Sequence, residues 1–200
     1  MKTDNKGFGG LSPLQQLDGI DTFSDVVIQK ETLEEILEDV KGAPSLANSQ
    51  PWEFIVTESC SVKEKMAHAL LDVQFRQQEP CEQELSWFAT APVIITIALN
   101  RLRAKAKVGD DGADRFGMVD LGGALIYLVQ SMATKGLGGT IVREFDRCMG
   151  SEILSLPTHI DPVIQVVLGY RLSQAKVRPH LRIDEYVHWD TWTTHIRKEE

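Results

Sequence analysis

The residues best equipped for chemistry in this 200-residue chain are gathered in one stretch, Ala43-Pro44-Ser45-Leu46-Ala47-Asn48-Ser49-Gln50-Pro51-Trp52. Pro44 and Pro51 bracket the stretch and fix φ near its two ends, so the Ser45 hydroxyl and the Asn48 and Gln50 amides are presented from a stiffened loop. Donors and acceptors placed in advance suit a planar heteroaromatic ligand whose edge alternates carbonyl oxygens with ring nitrogens. The plainer alternative is a loop whose polar side chains serve their own backbone, and the residue types alone leave both open.

Other chemistries find less support. Cys60, Cys81 and Cys148 are odd in number and widely spaced, with no C-x-x-C pair, which reads as three reduced thiols and a cytoplasmic protein. His68, His159, His180, His188 and His195 are scattered, so no metal site is expected. Neither a phosphate-binding G-x-x-x-x-G-K run nor a G-x-S-x-G nucleophile elbow occurs, although a Ser-His-Asp or Cys-His hydrolase is not excluded by inventory. Lys plus Arg number 21 against 29 Asp plus Glu, a net charge of −8, which argues against nucleic acid as a partner. No run of 18 uninterrupted apolar residues is present, so no membrane partner is expected.

The flanking sequence must position the loop. Leu33, Ile36, Leu37 and Val40 recur at helical spacing behind Thr32 and Glu35, a capping-box pair, and the helix should stop at Gly42 and Pro44. After the loop, Glu53 to Thr57 reads as a strand. A second capping-box pair, Ser61 and Glu64, opens a helix carrying Val62, Met66, Ala69, Leu70 and Val73, and Pro80 interrupts the pattern. Ala91 to Ala98 is almost continuously apolar and β-branched, as a central strand covered on both faces would be.

Arg101 to Arg115 mixes basic residues with Gly and Asp and reads as a solvated excursion, with a mobile lid as the sharper alternative. Phe116 to Lys135 predicts a long helix buried almost all round, in which Gly122 and Gly123 suggest close approach of another backbone. Gly136 to Gly139 should end it, followed by a short strand at Thr140 to Val142, a helix at Cys148 to Leu154 and a strand at Pro162 to Gly169. The tail from Tyr170 carries Tyr186, Trp189 and Trp192, which need apolar surface to cover; a partner subunit supplies it most simply. Residues 1–20 form a flexible or divergent segment, and 21–200 a single domain whose tail from about 170 wraps a dimer partner.

The stretch Ala43 to Trp52 running into Glu53-Phe54 resembles the A-P-S-x-x-N-x-Q-P-W-x-F signature of the FMN-dependent nitroreductase family. The strand Ala91 to Ile95, the Asp120-x-Gly122 pair followed by Leu128 and Gly136-Leu137-Gly138, and the strand ending Leu168-Gly169-Tyr170 agree in order, so the resemblance spans roughly residues 23 to 192. It implies an α+β fold, a three-layer α-β-α sandwich with a central four- to five-stranded sheet and a C-terminal extension onto the partner subunit of a homodimer. It also implies FMN at the subunit interface, NAD(P)H as electron donor and a nitroaromatic, quinone or enone as small-molecule acceptor, with the flavin rather than a side chain carrying the chemistry.

Position by position, Pro44, Ser45, Leu46 and Asn48 match the loop that contacts flavin, and Gln50 and Trp52 complete the signature. The backbone at Val142, Arg143 and Glu144 matches the segment that donates an N–H to flavin N5, and Lys176 and Arg178 match the pair that holds the phosphate. Two cations two residues apart in an extended segment can converge on one phosphate. One departure stands out. Where the family carries R-R-S-x-R before a phenylalanine, this chain has Leu17, Asp18, Gly19 and Asp21 before Phe23, and no arginine precedes Arg76. The expectation is therefore a flavin oxidoreductase with a weakened phosphate end; the alternative is a degenerate, non-catalytic flavin or small-molecule binding protein of the same fold.

Overall fold

The computed structural model describes residues 21–74, 82–172, 179 and 181–192. Four strands, β1 (Trp52–Thr57), β2 (Val93–Asn100), β3 (Leu137–Val142) and β4 (Ile160–Tyr170), form one antiparallel sheet in the order β1-β2-β4-β3. The almost wholly apolar β2 and β4 take the centre, where both faces are covered, as their composition requires. A single bridge between Phe23 and Arg171 lengthens the sheet's C-terminal corner without making a fifth strand.

Helices α1 (Lys30–Asp39) and α4 (Arg101–Thr134) cover one face of the sheet. There Leu33 and Ile36 of α1 meet Leu121, Leu125, Leu128 and Met132 of α4 above Ile95, Ile97 and Leu99 of β2. Each such side chain, fully buried, contributes about 1.5–3 kcal/mol before the opposing loss of entropy. On the other face lie α2 (Cys60–Gln74), α3 (Glu82–Thr90) and α5 (Arg147–Ile153), with Met66, Leu70 and Phe88 over Ile94 and Val167. The result is the expected three-layer α-β-α arrangement.

Several local expectations are corrected. Thr32 lies inside α1, whose N-cap is Gln29 with no side-chain cap, and the first turn of α2 closes on the Ser59 carbonyl rather than on Ser61. Helix α3 was not expected. Residues 101–115 are helical rather than an irregular excursion, forming the first part of α4 with one break at Gly109, whose φ of 71° takes the chain out of helical geometry. Arg101 holds this part down by reaching both Asp114 (2.9 Å) and Asp161 (3.0 Å).

Nor is the second part of α4 buried all round, since Phe116, Val119 and Ile126 are exposed. The helix is long and apolar enough to cross a bilayer by length and composition alone, yet its buried side is the sheet's own cover. Among the described residues nothing beyond its own helical turns lies within 4 Å of where a Cβ on Gly122 would stand, and a Cβ on Gly123 would meet the Pro44 carbonyl oxygen at 3.7 Å, an ordinary van der Waals contact. The helix ends at Gly136, in the left-handed region, and the glycines beyond it already belong to β3. Gly139 is obligatory there, because a Cβ on it would come 2.1 Å from the Val167 carbonyl oxygen.

Candidate functional site

Strand β1 begins at Trp52, and α1 ends in a short 3-10 turn, Val40–Gly42, so the loop Ala43–Pro51 must turn the chain from one layer into the sheet. It does so with a second 3-10 turn, Leu46–Asn48, in which Ala47 (φ 51°) and Asn48 (φ 50°) are left-handed, and Gln50 just beyond it (φ 44°) is left-handed too. That region is open to Asn at modest cost and is unfavourable for Ala and Gln. The turn is held from inside and from outside. Inside it, the Gln50 N–H donates to Ser45 Oγ (2.9 Å) and Gln50 Nε2 donates to Asn48 Oδ1 (2.9 Å).

From outside, the loop is gripped at both ends. At its start, the Leu46 N–H donates to both oxygens of Asp120 on α4, each at 3.2 Å, and the Ser49 hydroxyl reaches Asp120 Oδ2 at 3.4 Å. At its end, Arg103 donates to the Gln50 carbonyl (2.9 Å) and the Trp52 carbonyl (3.2 Å) while pairing with Glu53. Asn100 completes the clasp. Its N–H meets the Pro51 carbonyl at 2.6 Å and its side-chain amide meets Glu53 at 2.8 Å.

The internal bonds consume part of the loop's capacity and leave a defined remainder. Ser45 Oγ accepts, so its own O–H stays available, and Asn48 accepts through Oδ1, so its two Nδ2 protons stay available. Pro44, Leu46 and Asn48 are exposed, and Ser45 and Gln50 are half-buried. The loop therefore presents donors to solvent from a shape it does not have to rearrange. A second set of donors lies beyond β3, where Val142 is buried and Arg143 and Glu144 are exposed; among the described residues their N–H groups find no backbone acceptor. The two sets are not brought together within the chain, because β1 and β3 are opposite edges of the sheet. Lys176 and Arg178, and likewise Leu17, Asp18 and Gly19, lie outside the described residues. Asp21 is exposed, beside a cleft of about 560 Å³ lined also by Phe23, Lys63 and Trp87.

A family model, "Nitroreductase family", matches residues 22–170. The chain belongs to the nitroreductase family. It is 25% identical over 199 residues to the FMN reductase [NAD(P)H] of Bacillus subtilis (strain 168), covering 89% of this chain and 74% of that protein. Among solved structures it is similar to NfrA2 of B. megaterium, with a TM-score of 0.74, 20% identity and coverage of 90% and 74% of the two chains. It is likewise similar to an FMN-dependent nitroreductase from Clostridium difficile, with a TM-score of 0.67, 21% identity and coverage of 90% and 98%. At such identities the solved structures establish the fold alone. Family membership makes this chain an oxidoreductase.

Two residues that hold the site of this nitroreductase-family chain went without a role at the sequence level. Asp120 appears there only as one letter of a motif, and Arg103 only as one cation of a basic excursion. Both act on partners about 50 to 75 positions away in the chain, which no local pattern records.

Proposed function

We propose that this chain is an FMN-dependent oxidoreductase that takes reducing equivalents from NADH or NADPH and passes them to a small organic acceptor of nitroaromatic, quinone or enone type. The observation that carries the reading is the donor set left over on the pre-shaped loop, the Ser45 hydroxyl and the Asn48 amide, which matches the acceptor-rich pyrimidine edge of a flavin. FMN, when bound, supplies hydride transfer at N5. The chain's own residues bind and orient. Ser45 and Asn48 hydrogen-bond the ring, with Pro44, Leu46 and Gln50 shaping its seat, and the free N–H groups at Arg143 and Glu144 point a donor at N5. Lys176 and Arg178 hold the phosphate in this reading. The fit is good at the ring and weaker at the phosphate, because in this reading Asp21, an exposed carboxylate, stands where the family motif has an arginine.

Sheet geometry supports a site shared by two copies. Val142, Gln165, Thr96 and Ile55 lie in one row across the four strands, so Val142 and Ile55 are three strand spacings apart, roughly 14 Å. β3 runs opposite to β1, so Arg143 and Glu144 follow Val142 toward the same end of the sheet at which the loop enters at Trp52, and the separation is the width of the sheet. The two donor sets of one chain are thus farther apart than one tricyclic ring spans, whereas two copies can each contribute one. Trp189 and Trp192, 82% and 80% exposed, offer the apolar surface such a homodimer covers.

The test is optical. The purified full-length protein, as isolated or after addition of FMN, is expected to show the bands of oxidised flavin, which bleach under anaerobic NADH or NADPH and return on addition of a quinone or nitroaromatic. A protein that takes up no flavin refutes the reading; one that binds flavin but is reduced by neither nucleotide is a passive binder.

A further inference from the structure

We infer that Asp120 is the positioning residue of the flavin loop: it sets the orientation of Asn48 without touching the ligand, an inference that rests on the flavin reading above. Asp120 is 8% exposed and forms no ion pair with any described cation. A buried carboxylate needs donors in place of water, and this one has the Leu46 N–H and the Ser49 hydroxyl. These two donors sit on either side of Ala47 and Asn48, the consecutive left-handed residues of the turn. A turn that strained persists only when its surroundings over-determine it, and the bonds at its two ends do so.

Both carboxylate oxygens accept from the Leu46 N–H, and Oδ2 accepts a second hydrogen bond from the Ser49 hydroxyl, so Asp120 acts as acceptor only. In the isosteric Asn an NH₂ group replaces one oxygen, so the Leu46 N–H keeps at most one acceptor and the charge that strengthens both anchoring bonds is gone. The loop should then relax away from the left-handed turn, and the Asn48 amide should leave its orientation. Asp120 is buried beneath the loop and offers the ring nothing itself, so its effect passes through Asn48.

The experiment uses the full-length protein with Asp120→Asn, Asn48→Ala, the double variant and Ser49→Ala, with FMN and riboflavin as probes. Losing a hydrogen bond to a charged acceptor predicts about tenfold weaker binding in Asp120→Asn. FMN and riboflavin should lose the same factor, because the defect is at the ring and not at the phosphate. In the Asn48→Ala background, Asp120→Asn should cost less than about threefold, since the amide it positions is already gone. Hydrogen exchange at the Leu46 amide should be faster in Asp120→Asn even without ligand. Wild-type-like affinity in a folded Asp120→Asn, or equal loss in both backgrounds, overturns the inference. Should Asp120→Asn fail to fold, Ser49→Ala decides: weaker FMN binding supports the anchor and unchanged binding overturns it. A wild-type protein that binds no FMN refutes the flavin reading itself, and unchanged Leu46 exchange in Asp120→Asn refutes the anchor.

Discussion

Asn48 separates what its side chain offers a ligand from what its backbone costs the loop. Its Oδ1 is engaged by Gln50, and its two Nδ2 protons remain available, which the proposed reading assigns to flavin. At a net 0.5–1.5 kcal/mol per hydrogen bond, removing them weakens FMN by about 1–3 kcal/mol, or about 5- to 150-fold. The backbone adds a second effect. At φ 50°, alanine lacks the local polar contact that lets asparagine tolerate the left-handed region, whereas glycine is at ease there. Asn48→Ala should therefore lose about 1 kcal/mol of stability relative to Asn48→Gly, visible as about 2–4 °C in Tm for a chain of this size. The two variants should nonetheless bind FMN comparably poorly by fluorescence titration, because both lack the amide. Asn48→Gly binding FMN like the wild type would refute the assignment of the side chain, and equal melting temperatures would refute the strain argument.

Gly139→Ala should lower stability by roughly 3 kcal/mol, because its Cβ would strike the Val167 carbonyl at 2.1 Å and push the two strands apart; a thermal melt within about 2 °C of wild type overturns this. Asp21→Arg should tighten FMN but not riboflavin at low salt, with the gain fading as salt rises, if residue 21 faces the phosphate. The Lys135 ammonium is bonded to Glu35, which raises its pKa above the ordinary lysine value. Its contribution to stability is fully present below that value, about 10.4, and is lost as pH rises through the higher folded-state value, so urea midpoints should fall less above that pH in Lys135→Met than in the wild type.

The parts of the fold legible in the sequence are those whose burial is periodic or complete. Val93 to Ala98 could only be a central strand, and Leu33, Ile36 and Val40 could only be one helix face. The first part of α4 was illegible because its pattern describes a surface and tertiary ion pairs complete it. Arg101 reaches Asp161 across 60 positions, and Arg103 reaches Gln50 across 53. The capping pairs misled for a related reason: Thr32 and Ser61 have the right spacing, but Gln29 and Ser59 stand where the chain turns. The loop was legible as a stiffened turn presenting polar side chains, since two prolines and three polar side chains are local facts. Its anchor was not, since Asp120 lies 74 positions from Leu46.

The exposed side of α4 gives the loop's position a further consequence. Phe116, Val119, Gly123 and Ile126 recur at spacings of three and four, so they form one stripe along the helix, and its three large side chains are 45%, 66% and 50% exposed. Gly123 lies in the middle of that stripe, and the Pro44 carbonyl oxygen is 3.7 Å from where a Cβ on it would stand. Leu46, itself exposed, follows two residues later. Water-facing apolar area of this extent is the kind that a second copy removes. A copy that covers the stripe therefore meets Pro44 and Leu46 as well, and any ligand held by Ser45 and Asn48 then lies at the seam. In the proposed two-copy reading, the helix that anchors the loop through Asp120 therefore also carries the surface on which the second copy seats.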